Sequence, residues 1–154
     1  MEIELEGCDI KGGWHGVSVR SQATCTLNSC RVYENQWNGI SATGEGTTLT
    51  LIKGSMIKDN GRCGVSVSAG VQTVIDGCVF EGNGEAGVEA YGKETRLQLD
   101  NNSFSANEEA GVRGSRGVMI YLMNNNIVDD NDFDATCLVM KEGLRQVHNP
   151  ELSA

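Results

Sequence analysis

The chain has 154 residues with 20 Gly, a single Pro and a net charge of −9, which is length enough for one domain with its own core. Many Gly without Pro exclude a flexible linker protein and point to tight corners that need small side chains or a positive φ. The acidic balance sets nucleic acid and membrane surfaces aside as partners, and no stretch approaches the roughly 20 apolar residues of a membrane span.

Short alternating runs appear from the start. Met1–Glu6 is acidic and alternating, unlike a signal peptide, and Ile3-Glu4-Leu5 reads as a strand. Cys8 and Ile10 follow, then a corner at Gly13, then Gly16-Val17-Ser18-Val19. The same order returns down the chain. Gly followed by Val or Ile recurs at Gly16, Gly39, Gly64, Gly87 and Gly111, with gaps of 23, 25, 23 and 24 residues. Asn35, Asn60, Asn83, Asn107 and Asn131 mark the corner, with gaps of 25, 23, 24 and 24. Cys8, Cys30, Ser55, Cys78, Asn102 and Asn126 occupy one small or polar column, and Ile10, Val32, Ile57, Phe80, Phe104 and Val128 one apolar column.

Each period holds three period-two runs too short for helices, so the units are strands. A unit of this size cannot bury its apolar face alone, and stacking solves that. The reading is an all-β, single-stranded, right-handed parallel β-helix of about five to six coils, with the repeats over residues 1–135 and a cap and tail over 136–154. Val17, Ile40, Val65, Val88 and Val112 form one inward column, and Val19, Ala42, Val67, Ala90 and Gly114 its neighbour. Asn suits the corner because it tolerates the left-handed conformation and its amide can bond along the stack. A leucine-rich horseshoe lacks its Leu spacing here, and a propeller blade its four strands.

After Asn131 the pattern decays. Met140, Leu144 and Val147 at i, i+4 and i+7 predict a short amphipathic helix over 138–148 that caps the core and ends before Pro150. No cap precedes the first coil. The expectation is a fragment of a larger protein, or a homo-oligomer stacked through its N-terminal coil. Six cysteines lack zinc spacing, and three of the six fall on one repeated core position, so they read as free buried thiols. That favours a cytoplasmic compartment, with neither metal nor cofactor.

The run Gly77-Cys78-Val79-Phe80-Glu81-Gly82-Asn83-Gly84-Glu85-Ala86-Gly87-Val88-Glu89-Ala90 resembles the parallel β-helix repeat of the carbohydrate-binding proteins and sugar hydrolases class, with a pectin-lyase-like fold. The resemblance spans about residues 3–135. It implies a sheet face that serves polysaccharide enzymes in some members and plain protein binding in others, so fold kinship leaves function open.

Outward columns flank the Gly-Val strand: His15, Asn38, Cys63, Ala86 and Ala110 before the Gly, then Ser18, Ser41, Ser66, Glu89 and Arg113, then Arg20, Thr43, Ser68, Tyr91 and Ser115. Trp14 and Trp37 sit two residues before their Gly and are expected to stack, as a surface for sugar stacking, as a protein hot spot, or as a cover for the corner. The ligand-binding candidates are Trp14, His15, Arg20, Trp37, Asn38, Tyr91 and Arg113. Met56, Val79 and Ile127 break the polarity of another outward column and are candidates for a partner patch. Glu85, Glu89 and Glu109 are the carboxylates closest to a glycosidase pair, but no catalytic set matches residue by residue. Asp129, Asp130, Asp132 and Asp134 read as a solvated rim. Thr47, Thr48 and Thr50 read as a cluster confined to one coil, without an ice-binding ladder. The expectation is a non-catalytic module for a protein or polysaccharide, with a carbohydrate-active enzyme as the alternative.

Overall fold

A computed structural model describes residues 1–123, 125–129, 131, 138–140 and 145–147. The first coil is β1 (Glu2–Glu6), β2 (Asp9–Lys11) and β3 (Val17–Val19). The second is β4 (Thr24–Asn28), β5 (Arg31–Tyr33) and β6 (Ile40–Thr43). The third is β7 (Thr48–Ile52), β8 (Met56–Lys58) and β9 (Val65–Ser68). The fourth is β10 (Gln72–Asp76), β11 (Val79–Glu81) and β12 (Val88–Tyr91). The fifth is β13 (Arg96–Asp100), β14 (Ser103–Ser105) and β15 (Val112–Ser115). Five turns are thus complete. Beyond them lie β16 (Met119–Leu122), β17 (Ile127–Asp129), β18 (Leu138–Met140) and β19 (Arg145–Val147).

Every pairing is parallel and joins a strand to its equivalent one coil away, giving three sheets of seven, six and six strands. Alternation drives this: each strand sends every second side chain inward, and the inward residues meet in columns. Leu5, Leu27, Leu51, Ile75, Leu99 and Leu122 form one column in register. Ile10, Val32, Ile57, Phe80, Phe104 and Val128 form another, with the Phe80 and Phe104 rings stacked at 5.0 Å. The columns beginning at Val17 and Val19 align as the sequence predicts.

The repeat Gly is required by close approach, not by its own torsion. A Cβ on Gly39 would lie 2.7 Å from both Asn60 Nδ2 and Gly64 O. Left-handed φ is found one residue before the corner Asn, at Glu34, Asp59, Gly82 and Ala106. The corner Asn column is therefore not there for left-handed torsion, because its work is done by the side chain. Asn60 N–H and Nδ2 both donate to Asn83 Oδ1, at 3.2 and 3.0 Å, and Asn60 Nδ2 also donates to Val32 O. The pattern repeats from Asn35 to Asn131. Beside it the backbone continues the stack: Gly61 N–H donates to Asn35 O and Gly84 N–H to Asn60 O, both at 2.9 Å.

Three expectations change. The helix predicted over 138–148 lies partly outside the described residues, and the part described is strand: Leu138–Met140 pairs with β15 and Arg145–Val147 with β16. Stacking on an existing sheet edge outweighs the local helical spacing there. Cys63, Ala86 and Ala110 are buried, not outward, because alternation fails where the chain turns, and Asn38 is largely buried too although it still edges this face. Threonines do recur: Thr24 pairs with Thr48 and Thr26 with Thr50 across β4 and β7. The ladder stops after those two coils, since Glu2 and Glu4 precede it and Gln72 and Val74 face Thr48 and Thr50 in β10. Of the acidic rim, Asp129 is exposed, and Asp130, Asp132 and Asp134 lie outside the described residues.

Candidate functional site

The sheet of β3, β6, β9, β12 and β15 carries the site. At its corner the backbone N–H groups of Trp37, Arg62, Glu85 and Glu109 donate in turn to the carbonyls of Trp14, Trp37, Arg62 and Glu85. Five side chains are thereby stacked one per coil. Trp14 and Trp37 stack at 4.7 Å with planes 22° apart, and the Arg62 guanidinium lies 4.5 Å over the other side of Trp37. Both faces of Trp37 are thus taken, so it offers a ligand only its edge. Trp14 keeps a bare outer face and is 58% exposed.

Alongside this corner runs a polar groove of about 460 Å³ across the coils. Its floor follows from the period-two pattern. Ser41 and Ser66 stand in register on adjacent strands and line it, and Ser68, whose hydroxyl bonds that of Thr43 at 3.3 Å, lines it beside them; Ser18, in the same column, lies outside the groove. His15, Trp37, Asn38 and Tyr91 also line it, with Arg62 and Arg116. His15 Nδ1 is buried without a hydrogen-bond partner among the described residues. Asn38 is committed to the scaffold, where its Oδ1 accepts from Cys63 N–H at 3.1 Å.

Under the far half of the groove lies an ionic cluster. Arg113 donates to Glu89 Oε1 at 2.7 Å and to Glu85 Oε2 at 3.2 Å, and it also contacts Glu109. Arg62 donates to Glu85 Oε1 at 2.6 Å. Burial alone would push the Glu85 carboxyl up, but the hydrogen bonds and charges of Arg62 and Arg113 outweigh it and hold the group below the usual carboxylate range. Cys63 is buried beneath both carboxylates. Burial, with Glu89 adding to it, pushes its thiol up to about 12, so it is a poor nucleophile.

The sequence candidates therefore divide. His15, Trp37, Asn38 and Tyr91 converge on the groove, Trp14 flanks it, and Arg113 braces it from below. Arg20 stands apart, bonded to Ser18 Oγ at 3.0 Å beside an apolar hollow at the first coil. Met56, Val79 and Ile127 lie on a different sheet. Met56 and Val79 are direct neighbours there, and Ile127 is separated from them by Ser103. Arg62 and Arg116 escaped the sequence reading. Arg62 had a signal, since it occupies the same place before the repeat Gly as Trp14 and Trp37.

A comparison with curated proteins gives no match. A family model describing the right-handed β-helix region matches residues 1–149. The match takes in every coil described above and agrees with the wholly parallel, three-sheet stacking, and the chain belongs to the right-handed β-helix family.

Proposed function

We propose that the grooved sheet face is a non-catalytic binding site for a carbohydrate chain lying along the helix axis. The carrying observation is the hydroxyl floor, in which Ser41 and Ser66 stand in register with Ser68 beside them. Successive coils present the same group at about 4.8 Å, close to the length of one pyranose ring. A bound peptide strand repeats its side-chain direction at about 6.6 Å and falls out of step. The lining is polar, and hydroxyl-rich ligands are held by such hydrogen-bonding surfaces in the same way as ordered water.

Binding without turnover is favoured by the state of the carboxylates. A glycosidase needs one carboxyl with a raised pKa to protonate the leaving oxygen. Glu85 is shifted the opposite way and is clamped by two arginines. An enzyme built on Glu85 and Glu89 would need both released from Arg113.

Protein binding is the second reading, and the bare outer face of Trp14 is what favours it. A glycan array on the purified protein separates the two. Binding that Ser41→Phe abolishes and Trp14→Ala spares supports the groove, provided both variants keep the parent melting temperature. An array without signal, together with a partner lost by Trp14→Ala, overturns the carbohydrate reading.

A further inference from the structure

We infer that Glu89 Oε2 is the anchor for the bound sugar and that the groove takes neutral glycans and turns acidic ones away; this rests on the carbohydrate reading above. The carboxylates of the ionic cluster are not equally engaged. Glu85 gives one oxygen to Arg62 and the other to Arg113. Glu89 Oε1 accepts twice from Arg113, from Nε at 3.0 Å and from Nη2 at 2.7 Å. Among the described residues no charged donor reaches its Oε2. Ser66 Oγ stands 3.4 Å from it, well beyond the roughly 2.5–2.7 Å of a strong hydroxyl–carboxylate bond. Cys63 Sγ lies 3.6 Å away, but the thiol has one hydrogen and Glu85 Oε2 is also at 3.6 Å.

An anionic oxygen with acceptor capacity to spare, at the wall of a groove, is completed by a donor from the ligand. Glu89 lines the groove and keeps 23% of its side chain exposed, so a ligand can reach it. Arg113 holds the carboxylate in place before the ligand arrives. Ser66 stands opposite Glu89 in register, with Ser41 one coil further back, so a sugar meets hydroxyl partners on the same line. A sugar hydroxyl donates to Oε2, whereas a sugar carboxylate has nothing to donate and is repelled.

The charge count decides the ligand class. The charged side chains that line or brace the groove are Arg62, Arg113 and Arg116 against Glu85, Glu89 and Glu109, with His15 taken as neutral. The two signs balance, within a chain of net charge −9. Arg116 lies over the Tyr91 ring at 5.8 Å. No positive surplus is left to concentrate a polyanion in the groove.

The test is calorimetric titration of the full chain with short neutral β-1,4-linked glucan, mannan and xylan oligomers and with oligogalacturonate, at low and moderate salt. The parent should bind within the neutral series and give no heat with oligogalacturonate. Glu89→Gln keeps the shape, removes the anionic acceptor and leaves the groove with one positive charge in surplus. It should weaken the neutral ligand about tenfold and let oligogalacturonate bind at low salt, a gain that general damage to the fold would not produce. A parent that binds oligogalacturonate as tightly as any neutral oligomer overturns the inference without recourse to a variant, and leaves the groove reading standing. Neutral binding untouched by Glu89→Gln overturns the assignment to Glu89. Neutral binding lost with no gain for oligogalacturonate, at the parent melting temperature, overturns the charge argument. Silence from every oligomer overturns the groove reading, and this inference with it.

Discussion

Asn60 Nδ2 donates to Asn83 Oδ1 at 3.0 Å with both residues buried, and the bond is one rung of a ladder whose amides all point the same way. Asn83 also donates to Ile57 O and to Asn107 Oδ1. Replacing it by Ala strands partners on the two flanking coils, Asn60 and Ile57 on one and Asn107 on the other. Each stranded buried group costs about 1–3 kcal/mol, so Asn83→Ala should lose roughly 3 kcal/mol in urea unfolding. Asn83→Asp should be worse at neutral pH, because a carboxylate oxygen replaces a donor that faces two acceptors.

Thr73 is the misfit of the core. It sits in register between Leu49 and Leu97, is buried, and its Oγ1 has no hydrogen-bond partner among the described residues. Thr73→Val removes a desolvated hydroxyl with almost no change of shape. A gain of about 1 kcal/mol is expected, read as a higher denaturation midpoint with an unchanged slope. A loss would mean that the hydroxyl is satisfied in solution.

Glu85 makes the groove cluster pH-dependent. Its folded carboxyl titrates below the ordinary value of 4.5, so the folded state favours the ionised form. The resulting stability is fully present above that ordinary value and is lost as pH falls through the lower, folded one. Melting temperatures measured down through the acid range should fall more steeply for the parent than for Glu85→Gln. Parallel curves would show that Arg62 and Arg113 do not hold the carboxylate in solution.

Cysteine reactivity should follow burial. Burial is the main cause pushing Cys63 and Cys78 up to about 12, and Cys30 is also buried. Cys8 is half-buried, and all five described cysteines are free. Alkylation in mildly alkaline native buffer, mapped by peptide mass, should label Cys8 well before Cys30, Cys63 or Cys78. Denaturant should abolish the difference.

What the sequence revealed depended on whether residue type tracks position. Inward columns such as Val17 to Val112 are spelled out by apolar residues at a near-constant gap, so the strand register was readable. At the corner, Trp14, Trp37, Arg62, Glu85 and Glu109 share one position but not one chemistry, and no count by residue type finds them. The burial of Cys63 and Ala86 was hidden for a related reason: alternation holds within a strand and fails where the chain turns. Thr24 and Thr26 were missed as partners of Thr48 and Thr50 because that comparison must cross coils. The Ser-to-Glu and Ser-to-Tyr steps at Glu89 and Tyr91 were visible as letters. Only stacking the strands shows that both fall at one coil boundary.

The Asn ladder also has a chemical age. Asn60 and Asn83 are each followed by Gly, the sequence most prone to lose its side-chain amide through attack by the next backbone nitrogen. In the folded coil that nitrogen is engaged, since Gly61 N–H and Gly84 N–H are both held by the preceding corner. Native protein should therefore keep these amides through long storage. Chains held unfolded should accumulate Asp and isoaspartate at both sites, as peptide mass mapping would show, and should then refold poorly. These two corners thus record how long the chain has spent out of its coil, and the damage falls on the residues that stacking needs most.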